Sequence, residues 1–110
     1  PGKPQVWYLD LFAGKNDHEA VRRAGESGHK EINRTNLSTD QIAEDLKKDV
    51  VQKQLALIRM RNTHKAFSEG AEVAISGGES SLQIRWEYNS AFATLNVNFE
   101  SGTYTIVESR

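Results

Sequence analysis

The amino-acid sequence predicts an α+β protein, in which one apolar strand and three helices precede a small antiparallel sheet. Three observations lead to this prediction. The segment PQVWYLDLFAGKND, residues 4–17, opens with an apolar run that only Asp10 interrupts. Residues 38–67 carry helix-start signals and apolar residues at helical spacing. From residue 71 onward, apolar and polar residues alternate with period two, as is typical of antiparallel strands.

The first predicted element is a strand in the apolar run that begins at Val6 and ends at Phe12. Its continuous apolar run has no helical spacing and fits a strand that is covered on both faces, as in a parallel sheet. Such a strand needs neighbours, and no other strand precedes it in the chain. The run, together with the missing initiator Met, leads us to expect a piece of a longer protein, although a removed tag would also explain the missing Met. We also expect self-association through the unpaired strand.

A short helix and a long loop follow. Asn16 is the expected helix cap because Glu19 stands three residues later, and Gly25 is expected to end the helix. Residues 25–37 lack periodicity and are predicted to form a loop, with a brief extended piece at residues 31–34.

Two further helices are predicted after the loop. Ser38 and Gln41 form a capping box for a helix over residues 39–47, and Asp49 caps a longer helix over residues 50–64. The apolar face of the longer helix is broad, which is typical of a helix covered on more than one side.

The remainder of the chain is predicted to be an antiparallel meander of four or five strands. Leu82, Ile84 and Trp86 alternate with polar residues, and a similar alternation follows further along. Three dipeptides between these runs are typical of hairpin turns, namely Gly77-Gly78, Asn89-Ser90 and Ser101-Gly102.

Composition excludes several functional classes. The net charge is −1, so no whole-protein field attracts nucleic acid or an anionic membrane. No apolar stretch approaches the roughly 20 residues that a membrane span needs. The chain has no Cys and its three His stand in no zinc-ligand spacing, so we expect no metal and no cofactor. A cytoplasmic location is the default expectation.

Several segments together resemble a known family. PGKPQVWYLDLFAGKND, then EINR, then KKDVVQKQLALIRMRNTHKAF and an antiparallel tail resemble the C-terminal part of sucrose phosphorylases. These enzymes belong to the α-amylase superfamily, glycoside hydrolase family 13. The resemblance is strong over residues 1–67, whereas residues 68–110 match only in pattern.

The resemblance implies a fold. Residues 1–67 would be the C-terminal end of a (β/α)₈ catalytic barrel, in which residues 5–9 form the eighth strand and the two later helices close the barrel. AGKND would be a loop at the carboxyl end of that strand, where barrels place their working groups, and EINR would lie in the same excursion. Residues 68–110 would form the C-terminal antiparallel β domain.

The resemblance also implies an activity. Sucrose phosphorylases transfer glucose from sucrose to inorganic phosphate with retention, giving α-glucose 1-phosphate and fructose. This double displacement uses an Asp nucleophile, a Glu acid/base and a further Asp, at the ends of barrel strands four, five and seven. No carboxylate of this chain matches those positions, so the resemblance assigns it no catalytic residue. We expect the chain alone to be inactive.

Arg34 is the candidate substrate-binding residue. In the family that this chain resembles, the Arg at this position faces the acceptor side, where fructose or phosphate binds, and a guanidinium can grip an oxyanion with two hydrogen bonds. The alternative is a surface ion pair with Glu31 or Glu26. The family usually has aromatic residues after this Arg, where this chain has Thr35-Asn36-Leu37, which bears on acceptor specificity.

Other residues have two interpretations each. Trp7 and Tyr8 suit either sugar stacking or packing in a buried strand, and Trp86 suits a carbohydrate-binding face or a sheet core. Lys15 could supply positive charge near a bound phosphate, or it could be a solvated loop lysine. His64 is expected to interact with the C-terminal dipole of the long helix.

Two other functions stay open. One is a relative that acts on phosphorylated sucrose or hydrolyses α-glucosides with the same fold. The other is a non-catalytic module that binds carbohydrate or protein. Phosphate-binding residues outside this chain would distinguish such a relative from a sucrose phosphorylase. A start codon directly upstream of Pro1 would favour the non-catalytic module.

Overall fold

The computed structural model describes residues 4–110, which form two compact units, residues 4–57 and residues 58–110. The first unit contains three helices and the start of a fourth, and the second contains the sheet. The helices are α1 Tyr8–Leu11, α2 His18–Ala24, α3 Thr39–Asp45 and α4 Asp49–Thr63, with 3₁₀ helices at Gly25–Glu31 and Lys65–Phe67. None of the described helices is long and apolar enough to cross a membrane. The assignment of domains to residues 1–67 and 68–110 stays a prediction.

The prediction of a strand at residues 5–9 is wrong in this structure. Trp7 is extended, with φ −71° and ψ 141°, and α1 begins directly after it. A strand needs a neighbour to satisfy its backbone groups, and the described residues place none beside it. The amides of Leu11 and Phe12 donate instead to the carbonyls of Trp7 and Tyr8. The described residues 5–9 therefore form no unpaired strand through which the chain could self-associate. Self-association itself stays a prediction.

α2 begins one residue later than predicted. Asp17, and not Asn16, is the cap, because its Oδ1 accepts a hydrogen bond of 2.8 Å from the amide of Ala20. The helix ends before Gly25, as predicted.

Residues 25–31 form a 3₁₀ helix and not the predicted loop with an extended end. This segment folds back onto α2 at Gly28, which is buried. A Cβ at Gly28 would lie 2.5 Å from the carbonyl oxygen of Val21, so the close approach of the two backbones requires glycine there.

The capping of α3 is confirmed, since the amide of Gln41 donates to Ser38 Oγ at 3.1 Å. The helix ends at Asp45, earlier than predicted. α4 starts at Asp49, whose carboxylate pairs with Lys53 Nζ at 2.7 Å within the first turn. On α4, Val51 is fully buried.

Four antiparallel strands form one sheet in the order β1-β2-β3-β4. They are β1 Glu72–Gly78, β2 Ser81–Tyr88, β3 Ala91–Asn98 and β4 Thr103–Glu108. The turns at Asn89-Ser90 and Ser101-Gly102 are confirmed, and both Asn89 and Ser90 have the positive φ that a tight hairpin needs. The turn predicted at Gly77-Gly78 is wrong, because both residues lie in β1 and the chain reverses at residues 79–80.

One end of the sheet packs on the 3₁₀ helix Lys65–Phe67. The rings of Phe67 and Trp86 lie 5.3 Å apart, so Trp86 packs within this unit. His64 Nδ1 accepts from the amide of Ala66 at 3.2 Å, and Nε2 lies 2.8 Å from the carbonyl oxygen of Ser109. Because Nδ1 acts as an acceptor, Nε2 is the nitrogen that donates to the carbonyl oxygen of Ser109. His64 therefore caps this 3₁₀ helix and holds Ser109, the residue that follows β4, while its predicted interaction with the dipole of the long helix stays a prediction.

Candidate functional site

Hydrogen bonds connect the two segments that the family resemblance places at one site, AGKND at residues 13–17 and EINR at residues 31–34, together with Thr35, which follows the second. The Thr35 hydroxyl donates to the carbonyl oxygen of Lys15 at 3.0 Å. The amide of Asp17 donates to the carbonyl oxygen of Ile32 at 2.7 Å. Residues 15 and 20 positions apart in the sequence therefore form one continuous surface.

Trp7 and Tyr8 contribute to the same surface through their polar atoms. Trp7 Nε1 donates to the carbonyl oxygen of Asn33 at 2.7 Å, and the Tyr8 hydroxyl donates to that of Thr35 at 2.9 Å. The two side chains are 45% and 37% exposed, so the prediction that they pack in a buried strand is wrong for the described chain. The buried apolar residue is their neighbour Leu9, which is 1% exposed. Sequence reasoning missed the role of these rings as hydrogen-bond donors.

Arg34 lies between the two anchored residues Asn33 and Thr35. Its Nη1 forms an ion pair with Glu31 Oε1 at 3.2 Å, and its side chain is 52% exposed. Exposed ion pairs of this kind contribute little to stability. The guanidinium is thus held beside one carboxylate on a fixed backbone and stays accessible to a ligand.

A cavity of about 520 Å³ adjoins this surface. It is lined by the loop at residues 13–15, by residues 35–38, and by Gln41, Asp45 and Lys48. In the part of the chain that the structure describes, no three His, Cys, Asp or Glu residues are grouped so as to hold a metal ion.

Asp45 is the one charged side chain among the buried residues of the described chain, at 2% exposure. Its Oδ1 accepts from Lys48 Nζ at 2.8 Å and from Gln41 Nε2 at 2.9 Å. The hydrogen bond from Lys48, followed by that from Gln41, lowers the pKa of Asp45 below its ordinary value, although burial opposes the shift. Sequence reasoning did not single out Asp45, although its spacing of four from Gln41 places these two side chains on one face of α3, and Lys48 follows in the turn before α4.

We expect the contribution of Asp45 to stability to depend on pH. Because folding lowers its pKa, the carboxylate stabilises the fold above the unfolded-state pKa of about 4, and this contribution is lost as the pH falls through the folded-state value. Urea unfolding of the wild type and of Asp45→Asn should therefore differ most at neutral pH and converge in acid. A difference that stayed constant down to about pH 2 would contradict this linkage.

Comparison with known proteins relates this arrangement to a family, although no protein-family model matches the chain. The chain is 49% identical over 106 residues to a sucrose 6(F)-phosphate phosphorylase of Ilumatobacter coccineus, covering 96% of this chain and 20% of that protein. It is 39% identical over 109 residues to a sucrose phosphorylase of Agrobacterium vitis, covering 99% of this chain and 22% of that protein.

A solved structure shows the same fold. The crystal structure of sucrose 6F-phosphate phosphorylase from Thermoanaerobacter thermosaccharolyticum matches 100% of this chain and 22% of its own, with a TM-score of 0.88 and 37% identity. The chain thus spans about a fifth of the length of the relatives it matches. Sequence identity and structural similarity together show that the chain is homologous to the C-terminal region of the sucrose phosphorylases.

Proposed function

We propose that the whole protein is a sucrose phosphorylase-like glucosyltransferase that carries glucose from sucrose to inorganic phosphate with retention, giving α-glucose 1-phosphate and fructose. The observation that carries this proposal is the 49% identity along 96% of the chain to a phosphorylase of this family. Since the chain spans about a fifth of such relatives, the catalytic carboxylates belong to the remainder of the protein, where a (β/α)₈ barrel would hold them. This region then contributes to the acceptor side of the site and not to bond cleavage.

Arg34 is the residue that we assign to the acceptor. The backbone on both sides of it is anchored by Trp7 and Tyr8, while its side chain is half exposed. A guanidinium that is permanently charged and oriented by Glu31 suits an incoming phosphate or a phosphorylated sugar. A positioned cation of this kind favours the bound anion without taking part in proton transfer.

A second candidate donor is sucrose 6F-phosphate. Two comparisons favour it, since both the Ilumatobacter protein and the solved structure are named for that substrate. The reaction would be the same transfer, with fructose 6-phosphate as the leaving group. The dianionic phosphate on the fructose ring would then need cations on the acceptor side, where Arg34 is one candidate.

The whole protein, given inorganic phosphate and either sucrose or sucrose 6F-phosphate, is expected to release α-glucose 1-phosphate. Proton NMR of the fresh product distinguishes retention from inversion, and the ratio of kcat/KM for the two donors identifies the substrate. Absence of phosphorolysis with both donors, in a preparation shown to be folded, would contradict the proposal. Hydrolysis without phosphate dependence would indicate a glucosidase.

The cytoplasmic location and the domain assignment, with the barrel end at residues 1–67 and the β domain at 68–110, are part of the same proposal. The absence of cysteine is compatible with a reducing compartment. Limited proteolysis of the whole protein would test the domain assignment, since a cut near residue 68 should release a stable fragment that contains all four strands.

A further inference from the structure

A buried carboxylate, Asp45, and the lysine that pairs with it, Lys48, lie beside the loop at residues 12–15. This loop is hydrogen-bonded to Thr35, the neighbour of Arg34. Asp45 is 2% exposed and accepts hydrogen bonds from Lys48 Nζ and Gln41 Nε2. Burying a charge costs free energy, and a buried ion pair recovers that cost without adding much net stability. What the pair does achieve is to hold the Lys48 ammonium in one place, whereas a lysine on an exposed helix face samples many rotamers.

The ammonium is directed at the end of α1. Lys48 Nζ donates to the carbonyl oxygens of Phe12 and Ala13 at 3.3 and 3.2 Å, so with Asp45 its three N–H groups have three acceptors. Carbonyls at a helix end have no partner within the helix. Ala13 also has φ 49°, a conformation that residues with a Cβ rarely adopt. Lys48 thus stabilises a strained turn at residues 12–14.

The same turn is linked to the segment around Arg34 by hydrogen bonds. Lys15 follows directly, and its carbonyl oxygen accepts from the Thr35 hydroxyl at 3.0 Å. The carbonyl of Thr35 is in turn held by the Tyr8 hydroxyl. A shift of the turn would therefore move Thr35, and with it the neighbouring Arg34, through a single hydrogen bond.

We propose that Lys48, held by Asp45, is a positioning residue that fixes the turn at residues 12–14 and, through the hydrogen bond of Lys15 with the Thr35 hydroxyl, the placement of Arg34 for the acceptor anion. This inference rests on the function proposed above. The three N–H groups of Lys48 are occupied by acceptors within the protein. Its effect reaches the reaction through the geometry of the segment at residues 33–35.

The test uses the whole protein and measures phosphorolysis against inorganic phosphate concentration. Lys48→Met is expected to raise KM for phosphate about tenfold with a smaller change in kcat, since displacing a binding group by a fraction of an ångström costs less than the roughly hundredfold of a full ångström. In an Arg34→Ala background the same substitution should add no further change, because the group that it positions is gone. Lys48→Arg should recover most of the affinity.

Lys47→Met is the matched control. Lys47 is the adjacent residue and pairs with Glu44 at 2.6 Å on the exposed surface, so its loss should leave both KM and kcat unchanged. If Lys48→Met raised KM for phosphate equally in the wild-type and Arg34→Ala backgrounds, the proposal would be overturned. A folded Lys48→Met variant with an unchanged KM would also overturn it.

Hydrogen exchange separates this inference from the proposed function. Peptides that cover residues 12–17 and 32–36 should exchange faster in Lys48→Met than in Lys47→Met, whatever the enzyme's substrate. If the wild type proves inactive as a phosphorylase, the proposed function fails, and faster exchange in both segments still supports the positioning role. Unchanged exchange there would overturn it.

Discussion

Arg34→Ala in the whole protein is expected to raise KM for inorganic phosphate by about a hundredfold. Loss of a bidentate, charge-assisted contact to an anion from a binding site costs about 3 kcal/mol of binding free energy. The thermal midpoint of unfolding should not change measurably. The ion pair of Arg34 with Glu31 is half exposed, and pairs of that kind contribute little to stability. Initial-rate kinetics with phosphate varied at saturating donor measure the effect.

Two variants make this result specific. Arg34→Lys keeps the charge but not the planar fork, so it should recover only part of the affinity. Arg23→Ala removes another exposed arginine, which pairs with Glu19 at 3.4 Å, and should leave phosphate kinetics unchanged. If Arg34→Ala and Arg23→Ala behaved alike, Arg34 would be a surface residue, and the alternative ion-pair interpretation would be correct.

Leu9→Ala is expected to lower the free energy of unfolding by about 3 kcal/mol, because it removes a fully buried side chain and leaves a cavity. Leu9 is 1% exposed and is the largest of the buried apolar side chains in the described chain. Its loss would also loosen α1, from which Trp7 and Tyr8 reach the Arg34 segment. Chemical denaturation, followed by circular dichroism, measures the change in midpoint at constant slope.

Leu57→Ala is the matched control for this substitution, since it makes the same chemical change at a side chain that is 39% exposed. We expect it to cost less than about 1 kcal/mol. Equal destabilisation by the two variants would contradict the burial of Leu9.

Local features of the sequence determined much of the secondary structure. The Ser38 cap was predictable because a capping box satisfies helix amides with side chains only three residues away. The sheet was predictable because alternation with period two, interrupted at Asn89-Ser90, defines strands and a turn without reference to distant residues. The family likeness and the choice of Arg34 as the site candidate also came from short motifs.

The tertiary structure decided the features that depend on distant neighbours. The apolar run at residues 5–9 suited a strand, but a strand forms only beside another. In the described chain the carbonyls of Trp7 and Tyr8 instead accept from the amides of Leu11 and Phe12, at α1. Lys48 donates to the carbonyls of Phe12 and Ala13, which lie 36 and 35 positions away in the sequence, and Asp45 is buried beside it. Sequence spacing defines which residues share one helix face, but only packing determines what that face meets.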